Sequence, residues 1–239
     1  MIAKAAAFLL VVFSASPAAA DNAPFAFHPS DVRLGRIGDR VLFVDDRKLL
    51  GLIGRVEGAS SYDIIYHGSR IRPPKPITSM TIGEVREFQD RMVAAGSRSS
   101  AVGLYQFIRN TLPEAMTAAG LGPDDAFSPF NQDRMARSLL KKCGFYDYRT
   151  PEERIGDCVA GRWAAIPRFT GPGAGRSAHH GIAGNRSLVG ISETRESIAG
   201  RFRDYDPGAV SGGASQRILT ASSGPVRGAR MQRLQRRKD

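Results

Sequence analysis

Cysteine, histidine and tryptophan are scarce in this chain: its 239 residues include 2 cysteines, 4 histidines and 1 tryptophan. Zinc sites are built mainly from cysteine and histidine ligands, and neither cysteine has a pair of histidines close to it, which argues against a metal site. Long apolar runs are missing too, because the run at residues 5–13 is too short to cross a bilayer. No internal repeat is present, and the glycine-rich residues 170–186 lack the strand and the Lys-Ser or Lys-Thr ending of a phosphate-binding loop.

The first 20 residues have the pattern of a secretory signal peptide. Lys4 precedes the apolar run, and the small residues 18–20 follow it. We therefore predict that residues 1–20 are cleaved off before Asp21 and that the protein is exported to a bacterial periplasm. An uncleaved membrane anchor is the alternative.

The chain is basic, with a formal net charge of +11 at pH 7. Residues 207–239 supply much of this charge and have little apolar content, so we predict that they form a disordered tail. Excess positive charge favours an anionic partner such as cell wall, a membrane surface or nucleic acid. Because export makes nucleic acid an unexpected partner, we expect the tail to bind an anionic wall or membrane surface, or to dock on an assembly that spans the wall.

The rest of the chain is predicted to form an N-terminal extension, residues 21–44, and one domain, residues 45–206. Helix start and stop signals in the domain indicate about six helices. Two starts are well marked, because Thr81 and Glu84 form a capping box and Ser128 stands directly before a proline. We therefore predict a mostly α (α+β) fold, in which helices and a small β element flank a substrate cleft.

Three further elements are predicted from weaker patterns. The β-branched and aromatic residues 62–66 are typical of a short strand. A helix is predicted to begin at residue 101, to be interrupted near Pro113 and to end at Gly120, and the last helix is predicted to span residues 188–205.

Both cysteines, Cys143 and Cys158, fall on the apolar side of a predicted helix, with a short turn between the two helices. An oxidising compartment allows such a pair to form a disulfide. We therefore predict a Cys143–Cys158 disulfide, with two buried thiols as the alternative.

One acidic residue occupies an unusual position in a helix predicted to run from residue 46 to residue 57. Glu57 follows the apolar Leu50 and Ile53 at spacings of seven and four, just before Gly58 ends the helix. A carboxylate on a buried face is costly when ionised, so its pKa is expected to be raised and the group can donate a proton near neutral pH. The alternative is a glutamate at a helix end that tilts out to water.

Four motifs occur in the order found in the lysozyme-like lytic transglycosylases of the phage lambda endolysin family, and the chain resembles that family over about residues 46–205. The motifs are Val56-Glu57-Gly58 with Tyr62-Asp63, then Ser100-Ala101-Val102-Gly103-Leu104-Tyr105-Gln106-Phe107, then Phe127-Ser128-Pro129 with Gln132-Asp133, and Trp163-Ala164-Ala165-Ile166-Pro167 before a glycine-rich loop. The resemblance implies that residues 45–206 form a lysozyme-like catalytic domain. It further implies cleavage of the β-1,4 bond between N-acetylmuramic acid (MurNAc) and N-acetylglucosamine (GlcNAc) in peptidoglycan, without a metal or cofactor.

The resemblance also implies roles for individual residues. Glu57 corresponds to the catalytic acid of the family. The motif residues expected to contact the substrate are Tyr62, Asp63, Ser100, Gly103, Tyr105 and Gln106. Judged from the residues alone, the alternative is that Gly103 is a helix-start glycine and Tyr105 a core side chain. The signal peptide, the cysteine pair, the basic tail and Leu104, where the family often has arginine, indicate a bacterial periplasmic enzyme more than a phage lysis protein.

Two mechanisms are compatible with these residues. In a lytic transglycosylase, Glu57 protonates the glycosidic oxygen and then takes a proton from the sugar's own 6-hydroxyl group, which gives a 1,6-anhydro end. A hydrolytic muramidase usually needs a second carboxylate, for which Asp63 is the candidate unless it is only a turn residue bonded to the backbone. A non-catalytic wall-binding protein is the third alternative. We expect a monomer that acts on peptidoglycan glycan strands.

Three other side chains are expected to have structural or solvent-exposed positions. Gln132 is predicted to bond to the backbone near the site, and Trp163 is predicted to pack in the core. His179 and His180, in the glycine-rich loop, are predicted to be exposed rather than to bind a metal.

Overall fold

The computed structural model describes residues 33–37, 40–182 and 184–204. The predicted signal peptide, residues 1–20, and the predicted tail, residues 207–239, lie outside this part of the chain. Within the described ranges, no helix combines the length and the apolar character needed to cross a membrane.

Six helices make up most of the regular secondary structure of the described domain, which confirms the mostly α class. In chain order they are α1 (Arg47–Gly58), α2 (Ile82–Ala94), α3 (Leu112–Ala118), α4 (Pro129–Lys142), α5 (Glu152–Arg162) and α6 (Ile191–Ala199), with a 3₁₀ turn at Ile77–Ser79. Helices α1 and α5 both pack against α6, and α3 packs against α4.

Both of the well-marked helix starts are confirmed. The hydroxyl group of Thr81 accepts a hydrogen bond from the N–H of Glu84, whose carboxylate accepts one from the N–H of Thr81. At the start of α4, the hydroxyl group of Ser128 accepts a hydrogen bond from the N–H of Asn131. These side chains satisfy amide groups that the first turn of a helix leaves without a partner.

A three-stranded antiparallel sheet joins the two ends of the described chain. Strand β1 (Arg33–Ile37) pairs with β2 (Arg40–Val44), and β2 pairs with β3 (Phe202–Asp204). Because β2 belongs to the predicted extension and β3 to the last part of the predicted domain, this pairing ties the extension to the domain.

The sheet lies far from Glu57, so it is not the small β element that was predicted to flank the cleft. Strand β2 leads into the N-terminal end of α1, whereas Glu57 lies in the last turn of that helix. Ten residues of α-helix span about 15 Å, so the sheet and the Glu57 carboxyl group are at opposite ends of α1.

Three local predictions were wrong. Residues 62–66 form no strand, and only Ile65 makes an isolated bridge, to Val102. Residues 101–110 form turns rather than a helix, and Pro113 lies in the first turn of α3, where proline is tolerated. The last helix ends at Ala199, and the chain then enters β3.

The C-terminal end of α4 is joined covalently to the middle of α5. Cys143 and Cys158 form a disulfide with a Cα–Cα distance of 5.5 Å, as predicted. The link fixes α5, and with it the start of the segment that follows α5, against the rest of the core.

Candidate active site

The carboxyl group of Glu57 lies at the C-terminal end of α1, and the residue is partly buried. Its Oε1 accepts a hydrogen bond of 2.8 Å from the main-chain N–H of Ala165. Burial raises the pKa of Glu57, and the Ala165 N–H and the positive charge of His179 oppose this rise only in part. Within the described residues, that N–H is the only group that donates a hydrogen bond to the carboxyl. Glu57 therefore keeps its proton to a higher pH than an exposed glutamate does.

The backbone that follows Glu57 is held in an uncommon conformation. Ala59 and Ser60 have φ angles of 46° and 62°, and Gln106, from the second motif, has a φ of 46°. In the described part of the chain, these are the only non-glycine residues with a positive φ. Side chains with a Cβ rarely adopt such angles, which persist where the surrounding structure enforces them and which concentrate at functional sites.

The last turn of α1 packs directly against residues 103–106. A Cβ atom on Gly58 would overlap the main-chain carbonyl group of Leu104, so only glycine permits this approach. A Cβ on Gly54 would lie 3.0 Å from the side chain of Leu104. The second motif thus lies beside the helical turn that carries Glu57.

The side chain of Gln132, on α4, holds this motif in place. Its Oε1 accepts a hydrogen bond of 2.9 Å from the N–H of Leu104. Its Nε2 donates to the carbonyl groups of Tyr62, at 3.1 Å, and Phe127, at 3.0 Å. The predicted role of Gln132 as a backbone partner is confirmed, and one amide connects three separate segments.

The two tyrosines predicted to contact the substrate point into the domain instead. Tyr62 is 9% exposed and Tyr105 is 1% exposed, and their hydroxyl groups donate to the same oxygen, Oδ1 of Asp133, at 2.9 and 2.7 Å. Burial raises the pKa of Asp133, although the Tyr105 hydroxyl and the charge of Arg137 oppose the rise. Burial and the Asp133 charge also raise the pKa of Tyr105. Both tyrosines therefore have a structural role, as donors to the same buried carboxyl group.

Gly103 and Ser100 are also buried and serve the packing of their own segment. Gly103 has a φ of 75°, and a Cβ there would overlap the side-chain oxygen of Gln132. The hydroxyl group of Ser100 accepts a hydrogen bond of 2.9 Å from the N–H of Arg109. The internal packing therefore explains the glycine without the predicted contact with the substrate.

Asp63 and Gln106 are the predicted contacts that remain accessible. Asp63 is exposed, and its Oδ1 accepts a hydrogen bond of 2.9 Å from the N–H of Thr78. This matches the alternative in which Asp63 is a turn residue bonded to the backbone. Gln106 is half-buried, and its Nε2 donates to the carbonyl of Gly103 at 2.9 Å.

The sequence analysis missed two residues next to Glu57. Ala165 belongs to the fourth motif, whose place in the order was the only signal, and its role comes from a main-chain N–H that no side-chain pattern reveals. His179 was predicted to be exposed, but it is half-buried and its Nε2 lies 3.1 Å from the carbonyl oxygen of Gly161. The prediction of an exposed side chain is correct for His180.

Trp163 is 3% exposed, which confirms its predicted place in the core. Its indole N–H donates to the carbonyl of Tyr105 at 3.1 Å, so it links the end of α5 to the second motif. The tryptophan thus positions the stretch that contains Ala165.

The site offers one protonatable carboxyl group, held by one main-chain N–H. Such a group can give a proton to a leaving oxygen and later take one back. Among the residues that the structure describes, no three His, Cys, Asp or Glu side chains converge where they could hold a metal ion. Comparisons with protein-family models, with curated proteins and with solved structures each found no match.

Proposed function

We propose that this protein is a peptidoglycan lytic transglycosylase, which cleaves the MurNAc-β-1,4-GlcNAc bond with Glu57 as its acid and base and leaves 1,6-anhydro-MurNAc ends. The observation that carries the proposal is the Glu57 carboxyl, which is partly buried, has a raised pKa and accepts a hydrogen bond from one N–H among the described residues. A buried carboxylate with a purely structural role normally has a cation or several donors around it. The ordered motifs of the lysozyme-like family supply the substrate class.

One carboxyl group is enough when the nucleophile belongs to the substrate. Asp63, the candidate second carboxylate, is bonded to the N–H of Thr78 and is not among the groups that shift the pKa of Glu57. Glycoside hydrolases usually hold their two carboxyl groups about 5 to 9.5 Å apart. At the short end of that range a second charge would shift the pKa of Glu57, so the isolation of Glu57 argues against a muramidase that holds a second carboxylate that close.

Glu57 acts twice in the proposed cycle. It first donates its proton to the glycosidic oxygen, the bond from C1 to that oxygen breaks, and GlcNAc leaves with a free 4-hydroxyl group. The N-acetyl group of MurNAc stabilises the positive charge that develops at C1. The 6-hydroxyl oxygen of the same MurNAc then bonds to C1, and its proton passes to the Glu57 carboxylate, which restores the acid. The N–H of Ala165 stabilises the carboxylate between the two steps.

The proposal extends to location and partners. Export to the periplasm would bring the enzyme to its polymer, and the Cys143–Cys158 disulfide is compatible with an oxidising compartment. The enzyme would act as a monomer on glycan strands, without a cofactor. Residues 207–239 would hold it on an anionic wall or membrane surface, or on a wall-spanning assembly.

Analysis of reaction products tests the proposal. Purified sacculi are digested with the mature protein, and the released muropeptides are analysed by mass spectrometry. Anhydro-MurNAc ends are expected, whereas reducing MurNAc ends would identify a hydrolytic muramidase. Binding to sacculi without any release would overturn the enzyme assignment and leave a wall-binding protein.

The variant Glu57→Gln keeps the size of the side chain and removes its transferable proton. Turnover should fall by about 10²- to 10⁴-fold, the usual contribution of general acid–base catalysis. Glu87→Gln, which changes an exposed glutamate on α2, is the matched control and should retain the wild-type rate. Wild-type turnover by Glu57→Gln would reject this assignment.

A further inference from the structure

The chain that follows Ala165 leaves the candidate site and returns to the same residue. The N–H of Leu188 donates a hydrogen bond of 2.9 Å to the carbonyl oxygen of Ala165. The N–H of Ala165 is the group that donates to Oε1 of Glu57, at 2.8 Å. The described part of residues 166–187 contains no helix or strand. Loops longer than about 15 residues without such structure are uncommon and usually functional. This loop is closed on the residue that contacts Glu57.

Leu188 lies close to the Glu57 carboxyl group. The two hydrogen bonds, and the main-chain bonds of Ala165 between them, span no more than about 10 Å. A glycan strand with its scissile bond at Glu57 is longer than this on either side of that bond. Leu188 is therefore near enough to contact bound sugars.

Burial alternates along the segment that ends the loop. Val189 packs against the hydrophobic core, and Ser187 is half-buried. Arg186 is exposed, and Leu188 is 53% exposed. In an extended chain, residues two apart point to the same side. Arg186 and Leu188 therefore present a charged and an apolar side chain together on the outer side of this segment.

The exposed leucine offers apolar surface that a ligand can cover. A single exposed apolar side chain is common on proteins and has no meaning by itself. Here it is tied to the residue that bonds to the candidate catalytic carboxyl group. Peptidoglycan sugars have apolar surfaces of their own, namely the C–H faces of the rings and the methyl groups of the N-acetyl substituents. Ligand sites typically combine such apolar contacts with a few polar groups that fix orientation.

The loop also carries positive charge that no acid within it neutralises. Residues 166–188 include three arginines and two histidines but no aspartate or glutamate. Arg162, at the end of α5, is paired with Glu114, whereas Arg186 makes no ion pair within the described ranges. A guanidinium group in this state can bind a carboxylate of a ligand, often through two parallel hydrogen bonds. The peptide stems attached to MurNAc carry free carboxylates, and GlcNAc carries none.

We propose that Arg186 and Leu188 are substrate-binding residues of the candidate site. Leu188 packs on the apolar surface of the sugars, and Arg186 binds a carboxylate of the peptide stem on MurNAc. The identity of this ligand rests on the proposed function. The pair makes the site recognise peptide-bearing muramyl units in preference to an uncharged GlcNAc polymer.

Binding of two soluble ligands tests the proposal. One is the disaccharide GlcNAc–MurNAc with its stem peptide, a muropeptide that lacks the bond the enzyme would cleave. The other is an uncharged GlcNAc oligomer. The mature protein carries ¹³C in its leucine methyl groups, and the Leu188 NMR signals are those that disappear in Leu188→Ala. Both ligands should shift these signals, and an absence of any shift with the muropeptide would overturn the proposal.

The two substitutions should have different effects on the two ligands. Leu188→Ala should weaken the binding of both by about 3- to 10-fold, because it removes apolar contact surface. Arg186→Gln should weaken binding of the muropeptide alone, by about 2- to 5-fold, as for an exposed ion pair. Both side chains are exposed, so neither change should disturb folding. Val93→Ala and Arg154→Gln, which change exposed side chains on α2 and α5, are the matched controls and should bind as the wild type does.

The outcomes separate this proposal from the proposed function. Wild-type affinity in Leu188→Ala, or equal losses for both ligands in Arg186→Gln, would overturn the proposal. On sacculi, both variants should raise KM more than they lower kcat, since neither side chain transfers a proton. If the wild type shows the expected binding but leaves sacculi intact, the binding residues stand and the proposed function is rejected. Anhydro products together with unchanged binding in both variants would do the reverse.

Discussion

The two ends of α1 bury acidic side chains in opposite ways. At the N-terminal end, Asp46 is 6% exposed, and its Oδ2 accepts hydrogen bonds from Arg137 Nε at 3.0 Å and from the hydroxyl of Tyr146 at 2.7 Å. At the C-terminal end, Glu57 has one main-chain N–H as its donor in the described structure. The same helix thus carries one carboxylate with a full set of partners and one with almost none.

The pKa values of the neighbouring acids show what this difference does. Burial acts to raise the pKa of Asp45, but its hydrogen bonds with Arg47 and the charge of that arginine outweigh burial and lower the pKa. Nothing outweighs burial at Glu57, and the negative end of the helix dipole further disfavours a carboxylate there. Charged and hydrogen-bonded partners lower the pKa of Asp45 and keep it ionised. The single donor at Glu57 leaves its pKa raised, so this carboxyl keeps its proton to a higher pH.

Removing the partner at the N-terminal end should have the largest effect on stability. Arg137→Ala would leave the buried Asp46 carboxylate without its cation, which typically costs about 3–5 kcal/mol of unfolding free energy. Urea unfolding measures the loss. Arg55→Ala breaks an exposed ion pair with Glu193 and should cost only about 0–1 kcal/mol. Equal losses in the two variants would contradict the distinction between buried and exposed pairs.

A methyl group added near each end of α1 should have opposite effects. Gly58→Ala forces a Cβ against the Leu104 carbonyl, and such overpacking costs about 1–3 kcal/mol. Gly51→Ala adds the same methyl group where no atom lies within 4 Å, and it should stabilise the helix by about 0.5–1 kcal/mol. Urea midpoints of both variants check the prediction, and a stabilised Gly58→Ala would show that α1 does not contact residue 104 this closely.

The smallest effect is the pH dependence of stability at Glu57. At a pH below its ordinary pKa of 4.5, Glu57 is protonated in both folded and unfolded chains, so Glu57→Gln should leave Tm nearly unchanged. Between pH 4.5 and the raised pKa, the unfolded chain releases the Glu57 proton while the folded wild type still holds it. The free energy of unfolding of the wild type therefore falls as the pH rises through this interval. The variant should therefore gain a Tm advantage that grows with pH and then stays constant. Calorimetry over this range, with Glu87→Gln as the control, measures it; an advantage that shrinks with rising pH would contradict the raised pKa.

Local signals in the sequence predicted the helix starts and the disulfide well. The capping box at Thr81 and the Ser128–Pro129 start involve residues within a few positions of each other, so spacing alone reveals them. The half-buried carboxyl at Glu57 was also readable, because helical spacing places it on an apolar face. These features need no knowledge of the distant chain.

Long-range contacts explain what the sequence did not reveal. Residues 101–107 read as a helix, but side chains from α2 and α4 bond to their backbone and enforce positive φ angles at Gly103 and Gln106. Likewise, β3 exists only because it pairs with β2 from the other end of the described chain. His179 was misjudged because its partner is a main-chain carbonyl, at Gly161, which has no signature in the sequence.

Both hydrogen bonds that the Gln132 side chain donates come from one nitrogen atom, Nε2. Glutamate has nearly the same shape, but when ionised it accepts hydrogen bonds and donates none. Exchange of that NH₂ for an oxygen, the chemical change of deamidation, would remove the hydrogen bonds that Gln132 donates to the carbonyls of Tyr62 and Phe127. Deamidation of Gln132 would therefore remove two of the hydrogen bonds that hold the segment after α1 and the start of α4 beside the second motif, without altering Glu57.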